Sequence, residues 1–340
     1  MYLYKEGGNT PSFLFEQYST MTKKRILISY HLLDEGLEEL REKCEVTMPD
    51  AGPFSKAELL ELLPQYDALL SAFSLKVDKE VIDAGGSRLK IISNYAVGYD
   101  NIDTDYARQK GIAVCNTPDP VIEPTAELAY ALMGCAARRL AEDDRKIRIP
   151  NGLKWGTFEN LGVGMYGKTL GIIGMGRIGQ AIARRAVAGG MRIVYYNRHR
   201  LDEPTERLYG AEYRPFDELL GVSDFVALST PLTNETRHLI DAVALQKMKP
   251  SAILVNTARG AVVDELALVE ALRNRTIRGA ALDVFEHEPV VTEELYHLDN
   301  VVLSPHCGTS TVDARIAMAR FAAQNILNFF SGTGRVCRVV

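Results

Sequence analysis

The run Lys168-Thr169-Leu170-Gly171-Ile172-Ile173 passes directly into Gly174-Met175-Gly176-Arg177-Ile178-Gly179, and then into good helix formers from Gln180 to Ala188. This sequence of apolar strand, GxGxxG turn and helix constrains the fold more than any other feature of the chain. Gly174 permits the tight turn, Gly176 lets the backbone come close to a pyrophosphate, and Gly179 lets the helix pack against the strand. The helix start offers backbone N–H groups to phosphate oxygens. Arg177 and Ile178 lie in that first turn, and Arg177 adds a charge-assisted contact. A bare glycine pattern also fits an ordinary turn. The strand before it and the helix behind it favour a dinucleotide site.

The unit is one of a series. Arg25 to Tyr30, Ala68 to Ser71, Lys90 to Ser93 and Ala113 to Cys115 read as strands, and Asp34 to Lys43 as a helix. Ser55-Lys56-Ala57-Glu58 has the spacing of a capping box, and Asp78 is a candidate N-cap. After Pro124 a long helix sets Leu128, Ala131, Leu132, Cys135 and Ala136 on one face, with a polar end at Arg138-Arg139. A Gly-rich stretch from Pro150 to Gly167 holds the only tryptophan, Trp155. The second series runs from Lys168 to about Leu303, and an amphipathic helix from about Thr309 to Phe330 closes the chain. Such alternation implies parallel sheets covered by helices on both faces.

At 340 residues the chain is too long for one core. The expected fold class is α/β: two Rossmann-like or flavodoxin-like doubly wound parallel-sheet domains with a cleft between them, where a ligand is expected. A lone helix after the second series needs a sheet to cover. Residues 23–119 and 306–340 are therefore assigned to one domain and 120–305 to the dinucleotide-binding domain, with crossings near 120 and 305. Residues 1–22 read as a flexible extension.

In the NAD-binding version of the glycine unit, an acid about twenty residues on accepts hydrogen bonds from the ribose hydroxyls. Here that place is held by Asn197, followed by Arg198, His199 and Arg200. An acid would repel a ribose 2′-phosphate, whereas a neutral Asn with two arginines attracts one. NADP(H) is thus the preferred cofactor and NAD(H) a possible one. The other reading is a set of exposed loop charges.

The net charge of −5 argues against nucleic-acid or anionic-membrane partners, and no apolar run approaches a membrane span. The first residues lack the basic start and apolar stretch of a secretion signal. Five dispersed cysteines without a CxxC pair read as reduced thiols of a cytoplasmic protein, with no metal site.

Three apolar strands end in chemistry-bearing residues: Ala252–Val255 in Asn256-Thr257-Ala258-Arg259-Gly260, Ala280–Leu282 in Asp283 to Pro289, and Val301–Leu303 in Ser304-Pro305-His306-Cys307-Gly308. Open α/β sheets place their ligands at such ends. A His donates a proton to a carbonyl near neutral pH, a carboxylate orients it, and an Arg holds a substrate carboxylate. Taken singly, each fits a structural role as well. Their joint placement is what points to 2-keto acid chemistry.

These segments resemble the D-isomer-specific 2-hydroxyacid dehydrogenase family, and most of all its glyoxylate/hydroxypyruvate reductase branch. The likeness runs from about Lys23 onward and includes Asn94-Tyr95-Ala96-Val97-Gly98-Tyr99-Asp100-Asn101-Ile102-Asp103. It implies that His306 is the general acid/base, Glu288 its carboxylate partner and Arg259 the carboxylate binder, with Val97 and Gly98 N–H groups also holding substrate. It implies that Thr125, Thr230, Pro231, Thr257, Ala258, Asp283, His306 and Gly308 line the cofactor, and that the chain forms a homodimer. Two alternatives stand beside this reading. One is a larger substrate, such as 2-ketogluconate or a branched or aromatic keto acid, in a pocket built around Ser71 to Leu75, Tyr95 and the end of the long helix. The other is a non-catalytic nucleotide-sensing protein.

Overall fold

The computed structural model describes residues 23–72 and 75–340. The segment expected to be an extension lies outside the described residues. Two sheets organise the rest. The first contains β1 (Arg25–Ile28), β2 (Glu45–Thr47), β3 (Ala68–Ala72), β4 (Ile91–Tyr95) and β5 (Ala113–Cys115), in the order β2-β1-β3-β4-β5. The second contains β6 (Thr169–Ile173), β7 (Arg192–Tyr196), β8 (Ala211–Tyr213), β9 (Phe225–Leu228), β10 (Ile253–Asn256), β11 (Gly279–Leu282) and β12 (Val301–Leu303), in the order β12-β11-β10-β9-β6-β7-β8. Neighbouring strands are parallel in both sheets. The doubly wound α/β class expected from the sequence is the class observed.

Helices on both faces leave β3, β4, β6 and β9 buried along their whole length. That burial is why these strands read as unbroken apolar runs rather than alternating ones. In the second sheet the chain starts at β6, winds outward through β7 and β8, and returns to β9 on the other side of β6. The loops after β6 and β9 therefore diverge, and a crevice opens between them.

Local rules hold at several helix starts. Glu58 N–H donates to Ser55 Oγ at 3.2 Å while Glu58 Oε2 accepts from Ser55 N–H at 2.7 Å, completing the capping box. Asp78 accepts from Val81 N–H at 3.2 Å. The expected helix over 34–43 is instead a 3-10 turn, Asp34–Gly36, followed by a helix, Glu38–Lys43. The long helix spans Ile122–Ala137. Past Arg139, whose φ is 57°, a further helix, Leu140–Ile147, follows, to which the sequence reading assigned no element.

The last helix, Val312–Ser331, packs on the first sheet. Ser93 Oγ donates to Ala322 O at 2.9 Å and Tyr95 OH to Arg315 O at 2.7 Å. The chain end follows it, with Val339 N–H donating to Val114 O at 2.7 Å beside β5. Ile178, in the first turn after the glycine loop, packs against the cores of both sheets.

Candidate active site

Residue 98 sits directly beneath a guanidinium. A Cβ there would overlap Arg259 Nη2, so glycine is what lets the guanidinium lie directly on this turn. The turn that carries Gly98 is held by its carbonyls. Asn94 Nδ2 donates to Gly98 O at 2.7 Å, and Asn116 Nδ2 donates to Val97 O at 2.9 Å. The Val97 and Gly98 N–H groups make no hydrogen bond among the described residues. Paired, unspent N–H donors beside an arginine form a carboxylate-sized anion site.

Arg259 comes from the second sheet. Asn256, buried at the end of β10, accepts from Ala258 N–H at 3.0 Å and donates to Arg259 O at 2.9 Å. This tight turn after Thr257 presents the arginine to the cleft. Its Nη1 donates to Ala258 O at 2.8 Å and its Nε to Asp100 Oδ1 at 3.1 Å, a pair 159 residues apart that spans the cleft.

His306 and Glu288 meet. Nδ1 of His306 lies 2.7 Å from Glu288 Oε2, and Phe285 N–H donates to Glu288 Oε1 at 3.0 Å. Burial is the strongest influence on the Glu288 carboxyl and pushes it up. The His306 hydrogen bond and charge, the Phe285 N–H and the Arg259 charge together outweigh that, and hold it below the usual carboxylate value. His306 has a φ of 50°, in the left-handed region that few non-glycine residues adopt. Asp283 sustains it: this carboxylate, 1% exposed, accepts from Ser304 Oγ, Cys307 N–H and Gly308 N–H at 2.6, 2.8 and 2.9 Å. A Cβ on Gly308 would lie 3.4 Å from Asp283 Oδ2 and 3.5 Å from Thr125 Oγ1, so these three expected residues form one wall.

The glycine loop fits a dinucleotide. Gly174 has a φ of 96°, and a Cβ on it would strike the Ser229–Thr230 backbone at 2.7 Å. A Cβ on Gly176 would meet open space. Gly176 carries no side-chain cap, so the first N–H groups of the Arg177–Ala188 helix keep their capacity for a ligand. Ser229 Oγ and Thr230 Oγ1 are buried without a hydrogen-bond partner among the described residues. Orphaned hydroxyls at the mouth of such a crevice match the polar groups of a bound nucleotide. Pro231 O, by contrast, accepts from Thr236 Oγ1 at 2.7 Å and shapes the loop.

The residues expected near the adenosine ribose are arranged unequally. Asn197 Oδ1 accepts from Met175 N–H at 2.7 Å and so lies against the glycine loop. Arg198 is exposed and makes no ion pair among the described residues. Arg200 is gripped by Glu206 through two bonds of 2.8 and 2.9 Å, and Arg177 pairs with Asp119 at 2.6 Å.

Comparison with known proteins shows the family. Residues 130–308 match the family described as D-isomer specific 2-hydroxyacid dehydrogenase, NAD binding domain. A glyoxylate reductase of Thermococcus onnurineus is 50% identical over 91% of this chain and 94% of its own. The chain belongs to the D-isomer specific 2-hydroxyacid dehydrogenase family. Within that family, a glyoxylate reductase from Paecilomyes thermophila superposes with a TM-score of 0.85 at 35% identity, covering 94% of this chain and 99% of its own. An NADPH-dependent glyoxylate/hydroxypyruvate reductase from Sinorhizobium meliloti, solved with NADP and malonate, gives 0.81 at 32%, covering 94% and 97%. This dehydrogenase is accordingly a nicotinamide-dependent oxidoreductase, as the sequence implied.

Sequence reasoning missed Asp100, Asn94 and Asn116 as supports of the anion site. Asn116 and Asp100 lie beyond the ends of apolar strands and Asn94 is a buried polar residue within β4, the local signs available. Of the side-chain pocket expected around 71–75, Phe73 and Ser74 lie outside the described residues.

Proposed function

We propose that this dehydrogenase reduces a small 2-keto acid of the glyoxylate or hydroxypyruvate type to the D-2-hydroxy acid. The observation that carries this is the His306–Glu288 pair, set beside an arginine that overhangs two unspent backbone N–H groups. Arg259 and the Val97–Gly98 turn hold the carboxylate, and the remaining guanidinium edge polarises the neighbouring carbonyl. When bound, the nicotinamide supplies the hydride. His306 supplies the proton to the carbonyl oxygen through Nε2, while Glu288 holds Nδ1 and fixes the orientation of the ring. The names of the relatives support the substrate class.

NADP(H) is the preferred nucleotide, supported by Asn197 in place of an acid and by the exposed Arg198. The protein is a homodimer of the cytoplasm. Leu140, Ile147, Ile149, Trp155, Phe158 and Tyr166 expose apolar surface within one stretch of chain, and a second copy is the occupant assigned to it. No helix among the described residues is long and apolar enough to cross a membrane, and the five cysteines are free thiols.

The test is NADPH and NADH oxidation with a panel of 2-keto acids. Highest kcat/KM for glyoxylate or hydroxypyruvate with NADPH is the expected result. A preference for branched or aromatic keto acids refutes the substrate class, and a preference for NADH refutes the nucleotide assignment.

A further inference from the structure

Glu265 is a buried carboxylate, 5% exposed, that the chemistry above does not use. It opens the helix Glu265–Arg273, yet Asp264 caps that helix by accepting from Ala267 N–H at 3.0 Å. Glu265 is thereby released to turn sideways, toward the loop after β11. Its Oε2 accepts from Glu286 N–H at 3.0 Å. Its Oε1 accepts from Thr292 N–H at 3.3 Å and from the Thr292 hydroxyl. A buried carboxylate satisfied by three donors of one loop is costly to move, because any lost donor leaves charge unpaired.

The loop it grips, residues 285–292, contains Glu288. The grip is close on the other side too. A Cβ on Gly260, next to Arg259, would overlap the Phe285 carbonyl and approach Glu286 N. The segment holding both arginine and Glu265 thus forms the floor on which the Glu288 loop rests. A second anchor pins the same loop: Glu286 Oε1 lies 2.6 Å from His238 Nε2 and 3.5 Å from Arg237.

We propose that Glu265 is a positioning residue for the reaction: by holding Glu286 N–H and Thr292, it fixes the loop that carries Glu288 against His306. This rests on the His306–Glu288 reading of the site. The substitution Glu265→Gln keeps the shape but turns an amide NH₂ toward a donor, so one end of the loop comes loose. Thr292→Val removes the hydroxyl donor alone and leaves the carboxylate in place.

The readout is the pH profile of kcat/KM for keto acid reduction, measured beside the Kd for NADPH by fluorescence. His306 contact is what holds the Glu288 carboxyl low against its burial. A slackened loop therefore moves the acid limb of the profile to higher pH. We expect Glu265→Gln to show that displacement with NADPH Kd unchanged within about twofold, a change too small to signal a damaged nucleotide site. Thr292→Val should move the limb the same way by less, and it carries the test if Glu265→Gln does not fold. Variants that lose rate uniformly with an unmoved acid limb would make Glu265 a purely structural residue and overturn the proposal. Glu288→Gln separates the two levels: wild-type rate and profile in that variant would refute the pair itself, not the role of Glu265.

Discussion

Gly98 and Arg259 come from different sheets, yet each is intelligible only through the other. The glycine exists for the guanidinium above it, and the guanidinium is aimed by Ala258 O and Asp100. We expect Arg259→Ala to raise KM for the keto acid and lower kcat together, with kcat/KM down on the order of a hundredfold or more. An unchanged KM in steady-state assays would place the carboxylate elsewhere. Gly98→Ala should raise KM while leaving the NADPH Kd alone, because the added methyl displaces the arginine and touches no part of the glycine loop. At this scale the sequence was informative about residue type. Arg259, Glu288 and His306 stand out because each follows an apolar strand, where ligand sites form. Their supports were not legible. The Asp100–Arg259 pair depends on how two sheets sit across a cleft, and no local rule carries that over 159 residues. Arg200 likewise looked available to a phosphate until Glu206, one helical turn into the next element, closed on it.

Elements obey short-range physics, and the helix starts that carry a capping side chain at Ser55 and Asp78 were read correctly. Ser55 and Glu58 form the box that their spacing implied. Ser55→Ala should cost about 1 kcal/mol in urea unfolding, with keto acid reduction unaffected. A loss near zero would mean that the cap contributes nothing to this helix. The helix Leu140–Ile147 escaped the sequence reading because Leu140 and Ile147 face outward, so no apolar stripe faces a core. What holds it is charge. Glu142 is buried between Arg139 and Lys146, and their hydrogen bonds bring its carboxyl down to about 2. A carboxyl lowered on folding stabilises the protein above its unfolded value and loses that stabilisation as pH falls through the folded one. Thermal stability should therefore decline between about pH 4.5 and about pH 2, and Glu142→Gln should flatten that decline. Equal slopes for the two proteins would refute this contribution.

At the scale of the whole molecule, the reversal of strand order at β6 and β9 opens the crevice, and the last helix closes the first sheet. The place of the last helix followed from the need of a lone helix for a sheet; the strand order that opens the crevice did not, since alternation alone leaves it unset. The surface over residues 140–166 did not either, since exposed Trp155 and Phe158 (86% and 84%) have no periodic signature. If the proposed homodimer forms through this face, changing both to Glu yields monomers in sedimentation analysis; an unaltered mass would refute this face as its interface. The central claim concerns the cleft itself: an anion site on one sheet and a proton donor beyond the other act on one small keto acid. Its most direct test is glyoxylate reduction by His306→Asn, with NADPH binding measured in parallel. We expect kcat to fall on the order of 10²–10⁴-fold while the nucleotide Kd stays within about twofold. Turnover comparable to that of the unaltered enzyme would contradict it.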